Sequence, residues 1–392
     1  MASSKWPGMP SGIHSRFLGV GDLDMHILEA LPPSHDPSSK PPLILLLHGF
    51  PELAYSWRKV MTPLSAQGYA VVAPDLRGFG QTKQRSRAVP SAKIAYEEDL
   101  SPYRILNIAA DIVTLVYSLG YTSVEAVVGT DFGSPVAGYC ALVRPDLFRS
   151  VVFMSAPFTG PPPAGTGDPN AKTQLQQLDA ALSTLDPPRK HYMVYFSTPQ
   201  ANADLSNPPQ GFAAFWRTYH HLKSADHKSN NSPRPLGTVL APKLFENLPH
   251  YYVMPREQTM PEALASKAPT TEEISQCKWL TDQELEVFLA HYREGGFQGG
   301  LNLYRCMAES PRWTDDLKIL VGKQVEIPAK FIGGAQDWGV YQIPGAAETM
   351  RAKTCKNMKE EDFVLIEGAG HWAPQEKPDE VVQEILKFVK NI

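Results

Sequence analysis

Residues 127–138 read VVGTDFGSPVAG: an apolar run, then Gly129 and Gly133 bracketing Thr130, Asp131 and Phe132. Small residues two places before and after a central side chain are what a strand needs to turn sharply into a helix, and such a turn forces the central side chain outward. Hydrolases with this turn normally display a serine there; this chain displays a carboxylate. A serine needs a base before it becomes nucleophilic and suits attack on a carbonyl. An aspartate, with a reference pKa of about 3.9, is charged at neutral pH and can displace a leaving group at a saturated carbon. Asp131 is therefore the first candidate catalytic residue, with a helix-capping role as the plain alternative for an aspartate at this place.

The surrounding chain predicts the frame that such a turn requires. PLILLL (42–47) is apolar throughout and opens into HGFPE; a similar run spans Tyr69 to Pro74; VEAVVG (124–129) leads to Asp131, and SVVFMS (150–155), AKFIGGAQD (329–337) and DFVLIEGAGH (362–371) follow. Between strands, SPYRILNIAADIVTLVYSLG (101–120) reads as a helix. Ser101 can cap it, Pro102 suits its first turn, and Ile105, Ile108, Ile112, Leu115 and Leu119 recur at three- and four-residue steps. A further helix runs from Asp131 to about residue 147, and the last one, PDEVVQEILKFVKNI (378–392), carries Val381, Val382, Ile385, Leu386 and Val389 on one face. Strands apolar on both faces that alternate with helices predict a mostly parallel central sheet flanked by helices. The alternation stops after Phe158. The next 150 or so residues are proline-punctuated and helical, clearest in GFAAFWRTYHHLKSADH (211–227) and TDQELEVFLAHYREGG (281–296), with the polar stretch SNNSPRPLG (229–237) between them. The predicted organisation is a core over residues 1–158 and 311–392, interrupted by a helical cap over 159–310.

Composition excludes several classes of function. Among 392 residues, 37 Lys and Arg oppose 41 Asp and Glu for a formal net charge of −4, which supplies no field for nucleic acid or an anionic membrane. The opening MASSKWPGMPSG lacks the apolar run of a signal peptide, and LILLL is too short to span a bilayer, so a cytoplasmic location without membrane insertion is expected. Cys140, Cys277, Cys306 and Cys355 lie far apart without CxxC pairing and read as free thiols. None of the 11 histidines falls in an HExxH spacing, and neither a metal nor a cofactor is expected.

In an open parallel sheet, ligands meet the protein at the carboxyl ends of the strands. Four chemical groups fall there: the HGFP loop, Asp131, Asp337 and His371. The order is nucleophile, acid, histidine. The rival place for the acid, just after the preceding strand in SVVFMSAPF, holds no carboxylate. His48 reads as structural, and Asp75 with Arg77 as fixing a turn. From about residue 40 onward, through HGFPELAYSW, APDLRGFGQT, the Asp131 turn, LNLYR and the final Asp and His motifs, the chain resembles the soluble epoxide hydrolase family of the α/β-hydrolase fold superfamily.

That resemblance implies an α/β-hydrolase fold with an inserted helical cap, and hydrolysis of an epoxide to a vicinal diol. It implies Asp131 as nucleophile, His371 as the base that activates water, and Asp337 as the acid that orients the imidazole. The backbone N–H groups of Phe50 and Phe132 would form the oxyanion hole, with a cis peptide between Phe50 and Pro51. Two cap tyrosines would donate to the opening ring. Tyr304 matches in LNLYR, and Tyr192 is favoured over Tyr195, three residues on. Phe50, Phe132, Phe196, Trp338 and Trp372 are the candidate wall residues. The implied partners are a small apolar epoxide and water, the protein being a monomer or homodimer. A haloalkane dehalogenase is the nearest rival, disfavoured because Phe132 and Phe50 have no side-chain N–H where halide donors usually stand. An esterase is disfavoured by the absence of any GxSxG, and a non-catalytic ligand-binding protein is the alternative from outside the enzymes. Phe132 stands where many epoxide hydrolases carry Trp, and residues 229–270 match nothing in the family pattern. They could shape the pocket mouth, mediate dimerisation or form a surface excursion.

Overall fold

The structure, a computed structural model, describes residues 6–34, 40–85, 93–163, 168, 170–237 and 241–392. Residues 1–5 of the N-terminal stretch, 164–167 and 169 of the proline-rich turn after Phe158, and 238–240 of the 229–270 stretch lie outside the described residues.

Eleven strands are present among the described residues: β1 (Ile13–Val20), β2 (Leu23–Ala30), β3 (Leu43–Leu47), β4 (Ala70–Pro74), β5 (Lys83–Gln84), β6 (Ala126–Thr130), β7 (Val151–Met154), β8 (Arg189–His191), β9 (Val253–Pro255), β10 (Ala329–Gly334) and β11 (Phe363–Ile366). Nine of them build one mixed sheet in the order β1-β2-β4-β3-β6-β7-β10-β11, with β5 paired to β2. From β4 to β11 all neighbours are parallel. Every residue of β3, β4, β6, β7 and β10 is buried, as continuous apolar strands covered on both faces must be.

The sequence predicts no strand before residue 42, yet β1 and β2 form an antiparallel hairpin that turns at Gly21 and extends the sheet beyond β4. Two features hide it. β1 is an edge strand that alternates irregularly between exposed and part-buried positions, and β2 carries the polar His26 in its buried interior. That histidine is satisfied by Asp75, Nδ1 to Oδ2 at 2.7 Å. Asp75 also accepts from the Ala54 and Gln81 N–H groups, so it fixes the turn after β4 as read. Arg77 pairs there with Asp22 and Asp111.

The 101–120 helix begins later than its capping pattern predicts. Ser101–Tyr103 forms a separate 3-10 turn, Arg104 is extended (φ −60, ψ 142), and the α-helix runs Ile105–Ser118. The Ser101 hydroxyl is spent on Asp99 at 2.9 Å, not on a helix N–H. The helix after Asp131 ends at Val143, four residues short of its predicted end. On the last helix, Pro378–Val389, Phe388 joins the buried face and Leu386 is only part-buried.

Between β7 and β10 the chain forms a helical insertion. Four of its helices open on a threonine whose side chain and a Gln or Glu three residues on bond reciprocally to each other's backbone N–H: Thr173 with Gln176, Thr259 with Glu262, Thr270 with Glu273 and Thr281 with Glu284. The insertion is not purely helical, because β8 and β9 pair as an antiparallel ribbon. A buried ion pair, Arg58 Nη2 to Glu284 Oε1 at 2.8 Å, ties it to the sheet's helices. In the loop that carries His371, Glu376 accepts from the N–H groups of Ala225, Gly370 and Trp372. His371 N–H donates to the Lys223 carbonyl at 2.8 Å.

Candidate active site

The sheet places the site by its topology. β4 lies on one side of β3 and β6 on the other, so the strand order reverses at β3, and Leu47 pairs with Gly129 across the crevice that results. Ligands of open α/β sheets bind outside the carboxyl ends at such a switch point. Phe50 follows β3 and Asp131 follows β6, one on each bank.

The glycine frame works as its spacing predicts. A Cβ at Gly129 would collide with the Gly133 carbonyl, one at Gly133 with the Leu47 carbonyl, and one at Gly49 with the Asp131 side chain itself. Asp131 takes φ 51, a left-handed conformation that aspartate tolerates better than most residues. Its Oδ1 accepts from the Phe50 N–H at 2.9 Å, and its Oδ2 lies 3.5 Å from His371 Nε2. The Phe50–Pro51 peptide is cis. On the far side of the imidazole, Nδ1 lies 3.1 and 3.2 Å from the two oxygens of Asp337. Asp337 is held in turn by the Gly339 N–H at 2.7 Å and the Ser155 hydroxyl at 2.6 Å.

Burial alone would push the Asp131 carboxyl up. The close approach and charge of His371, the charge of Lys223 and the Phe50 N–H outweigh it and hold the carboxyl at about 2. For His371, burial and the Lys223 charge pull down, but Asp337 and Asp131 prevail and raise the imidazole above its ordinary value. At 3.5 Å Nε2 makes no hydrogen bond, and no partner for it occurs among the described residues.

Tyr192 and Tyr304 stand together with ring centroids 5.8 Å apart. Phe196 lies 5.1 Å from Tyr304, Phe50 5.5 Å and Phe132 4.6 Å between ring centroids, so these aromatic side chains form one cluster. Burial raises both phenols well above the ordinary tyrosine value, and the Asp131 charge adds to it, so both stay protonated. Tyr192 donates to Gln342 Oε1 at 3.1 Å. Tyr195 is committed elsewhere, its hydroxyl donating to Asp204 at 2.7 Å. Trp338 follows Asp337 and is buried. Trp372 donates to the His220 carbonyl and meets the His371 ring edge-on at 4.7 Å. His48 is structural as read, accepting from the Leu76 N–H through Nε2.

Several neighbours escape the sequence reading. Lys223 is fully buried with Nζ 5.1–5.8 Å from the ring centroids of Tyr219, Tyr251, Tyr252 and Trp372. Burial lowers its pKa against the opposing charges of Asp131, Asp337 and Glu52. Glu52, the last residue of HGFPE, is buried and pushed up to about 7 by burial, opposed chiefly by His371. Tyr251 and Tyr252 come from the 229–270 stretch, so this part of it is no surface excursion; Tyr252 lies 5.2 Å from Tyr192. A lysine ending an amphipathic helix and two tyrosines after a proline-rich stretch carry no signal of their own in a sequence. Among the described residues no three His, Cys, Asp or Glu side chains gather as metal ligands, no helix is long and apolar enough to cross a membrane, and the four cysteines are free.

A nucleophile elbow at a sheet switch point, with an acid and a histidine behind it, defines an α/β-hydrolase. The α/β hydrolase fold family matches residues 42–378, and the chain belongs to it. Its relatives narrow the class. The chain is 31% identical to epoxide hydrolase 1 of Siraitia grosvenorii over 95% of its own length and 97% of that protein. It is 28% identical to epoxide hydrolase A of Mycobacterium tuberculosis over 96% and 97%. The solved structure of potato (Solanum tuberosum) epoxide hydrolase I superposes with a TM-score of 0.69 at 28% identity, covering 97% of this chain and all of that one. Within the α/β-hydrolases, this chain belongs to the epoxide hydrolases.

Proposed function

We propose that the chain opens epoxides through a covalent ester on Asp131 that His371 then hydrolyses. The observation that carries this reading is the division of labour within one carboxylate: Oδ1 already sits in a backbone donor at 2.9 Å, and Oδ2 faces the imidazole at 3.5 Å.

In the first step Oδ2 attacks a ring carbon and the C–O bond of the epoxide breaks. The electron pair goes to the ring oxygen, which takes a proton from Tyr304 or Tyr192 and becomes a hydroxyl. Phenols held above their ordinary pKa by burial are protonated donors at neutral pH. The product is a hydroxyalkyl ester that retains every atom of the substrate. Esterification removes the Asp131 charge, and with it one of the influences that raises His371, so the imidazole becomes more available as a base when it is needed. In the second step Nε2 takes a proton from water, hydroxide attacks Cγ, and negative charge develops on Oδ1. The Phe50 N–H is already in place to receive that charge, joined by the N–H of Phe132. Collapse releases the diol and restores the carboxylate; the proton on His371 returns to the tyrosinate through solvent. Residues 159–310 serve as the lid that carries both tyrosines, and Phe50, Phe132 and Phe196 favour an apolar substrate.

The test of this reading is a substrate panel. Incubation with aryl, terminal and fatty-acid epoxides is expected to give vicinal diols, and a matching set of bromoalkanes no halide. Halide release without diol would point to a dehalogenase, and binding without turnover to a ligand carrier.

Tyr304→Phe is expected to slow ester formation by roughly 10²-fold, the scale of losing one preorganised donor, and Tyr192→Phe by less, while ester hydrolysis is unaffected in either. Rapid-quench measurement of the alkyl-enzyme separates the two steps. Lys223→Met removes a positive charge beside the imidazole. Because that charge lowers the His371 pKa, its loss raises it, and the acid limb of the hydrolysis rate moves to higher pH; a limb that stays or moves down contradicts the assignment.

A further inference from the structure

Ser155 occupies the place after β7 where a rival acid would stand, and it takes φ 63. Among the described residues only one other non-glycine residue has a positive φ, and that is Asp131. A side chain persists in this conformation only where its surroundings over-determine it, and such outliers gather at functional sites. Glycine would adopt the same φ without strain, so what serine adds is the hydroxyl.

The hydroxyl stands between acid and base. Oγ is 2.6 Å from Asp337 Oδ2 and 2.9 Å from His371 Nδ1. Nδ1 is 3.1 and 3.2 Å from the Asp337 oxygens, so its nearest polar neighbour is the serine. Gly339 closes the other side: a Cβ there would press on Ser155 Oγ at 2.8 Å.

A hydroxyl has one proton, and a carboxylate only accepts. At 2.6 Å that proton goes to Asp337, leaving Oγ with lone pairs alone to offer Nδ1. Two acceptors then face Nδ1, which must carry a hydrogen of its own. Nε2, without a hydrogen-bond partner among the described residues, is left as the basic nitrogen. We propose that Ser155 is a positioning residue that, with Asp337, fixes His371 as the Nδ1–H tautomer and so keeps Nε2 unprotonated toward the water that cleaves the Asp131 ester. The inference rests on the covalent reading above and concerns its second step only.

Ser155→Ala and Ser155→Gly test it. In both, ester formation is expected to stay within about 2-fold of the unmodified protein while ester hydrolysis slows about 10-fold, a part of the 10²–10⁴ that a general base contributes. Alkyl-enzyme then accumulates in the intact mass spectrum. Ser155→Gly, relieved of the unfavourable φ, is expected to unfold at or above the temperature of Ser155→Ala, so that a hydrolysis defect shared by the two cannot be a folding defect. Imidazole nitrogen shifts measured by NMR are expected to report a single Nδ1–H tautomer in the unmodified resting enzyme and a mixture in the variants. A resting Nε2–H tautomer, or folded variants with an unchanged ratio of hydrolysis to alkylation, would overturn the proposal. Adduct accumulation in His371→Gln separates this from the parent reading: if no adduct forms there, the covalent mechanism fails; if it forms while the Ser155 variants behave normally, only the role of Ser155 falls.

Discussion

His371→Gln is expected to convert the enzyme into a trap for its own substrate. Alkylation of Asp131 needs no base; the variant loses the His371 contribution that helps to hold the carboxyl low but keeps the Lys223 charge and the Phe50 N–H, so an initial burst should still proceed at neutral pH. Hydrolysis of the ester should fall by roughly 10³–10⁴-fold, toward the upper end of what a general base contributes. Intact-protein mass should rise by the full mass of the epoxide, since ring opening adds the substrate without expelling any atom; epoxide consumption should stop at about one equivalent per enzyme, with almost no diol released. The unmodified protein should approach the same state in acid: once the pH falls below the His371 pKa of the esterified enzyme, which lies below its resting value because the Asp131 influence is gone, the imidazole is protonated, hydrolysis slows and ester accumulates. Continued turnover by His371→Gln at near-normal rate would show that another group is the base.

The complementary change, Asp131→Ala, removes the reacting atom itself. Diol formation should fall by at least roughly 10⁴-fold, in the range found when a covalent nucleophile is deleted from other hydrolases, and no mass increase should occur with any epoxide. Alanine tolerates φ 51 less well than aspartate, but glycines 49, 129 and 133 keep the space around the turn, so far-ultraviolet circular dichroism should be unchanged even if the variant melts somewhat lower. The double variant Asp131→Ala, His371→Gln should lose no more than Asp131→Ala alone, because the base acts only on an ester that no longer forms.

What was legible in the sequence is what repeats in period or composition. β3, β4, β6, β7 and β10 are buried at every position and therefore read as apolar runs, and the residues at their carboxyl ends, Asp131, Asp337 and the HGFP loop, fall together at the site. The turn at Asp131 is legible because backbone crossings leave no room for a Cβ at Gly129 or Gly133. The β1–β2 hairpin is not, since its outer strand is half in water and its inner strand buries a histidine paired with Asp75. Nor is the choice between Tyr192 and Tyr195, which share one short helix; it turns on where Asp204 and Gln342 lie. Lys223, Tyr251 and Tyr252 reach the site only through the packing of the insertion, and Ser155 is marked by a backbone angle that no single sequence displays.

The most direct measurement is one turnover in heavy-oxygen water with enzyme in excess over epoxide. Both oxygens of the first diol should come from unlabelled sources, one from the epoxide and one from the Asp131 carboxylate, and the peptide containing Asp131 should emerge carrying one heavy oxygen. A first-turnover diol that carries the solvent label, beside an unlabelled Asp131 peptide, would mean that water attacks the epoxide directly and that no ester forms.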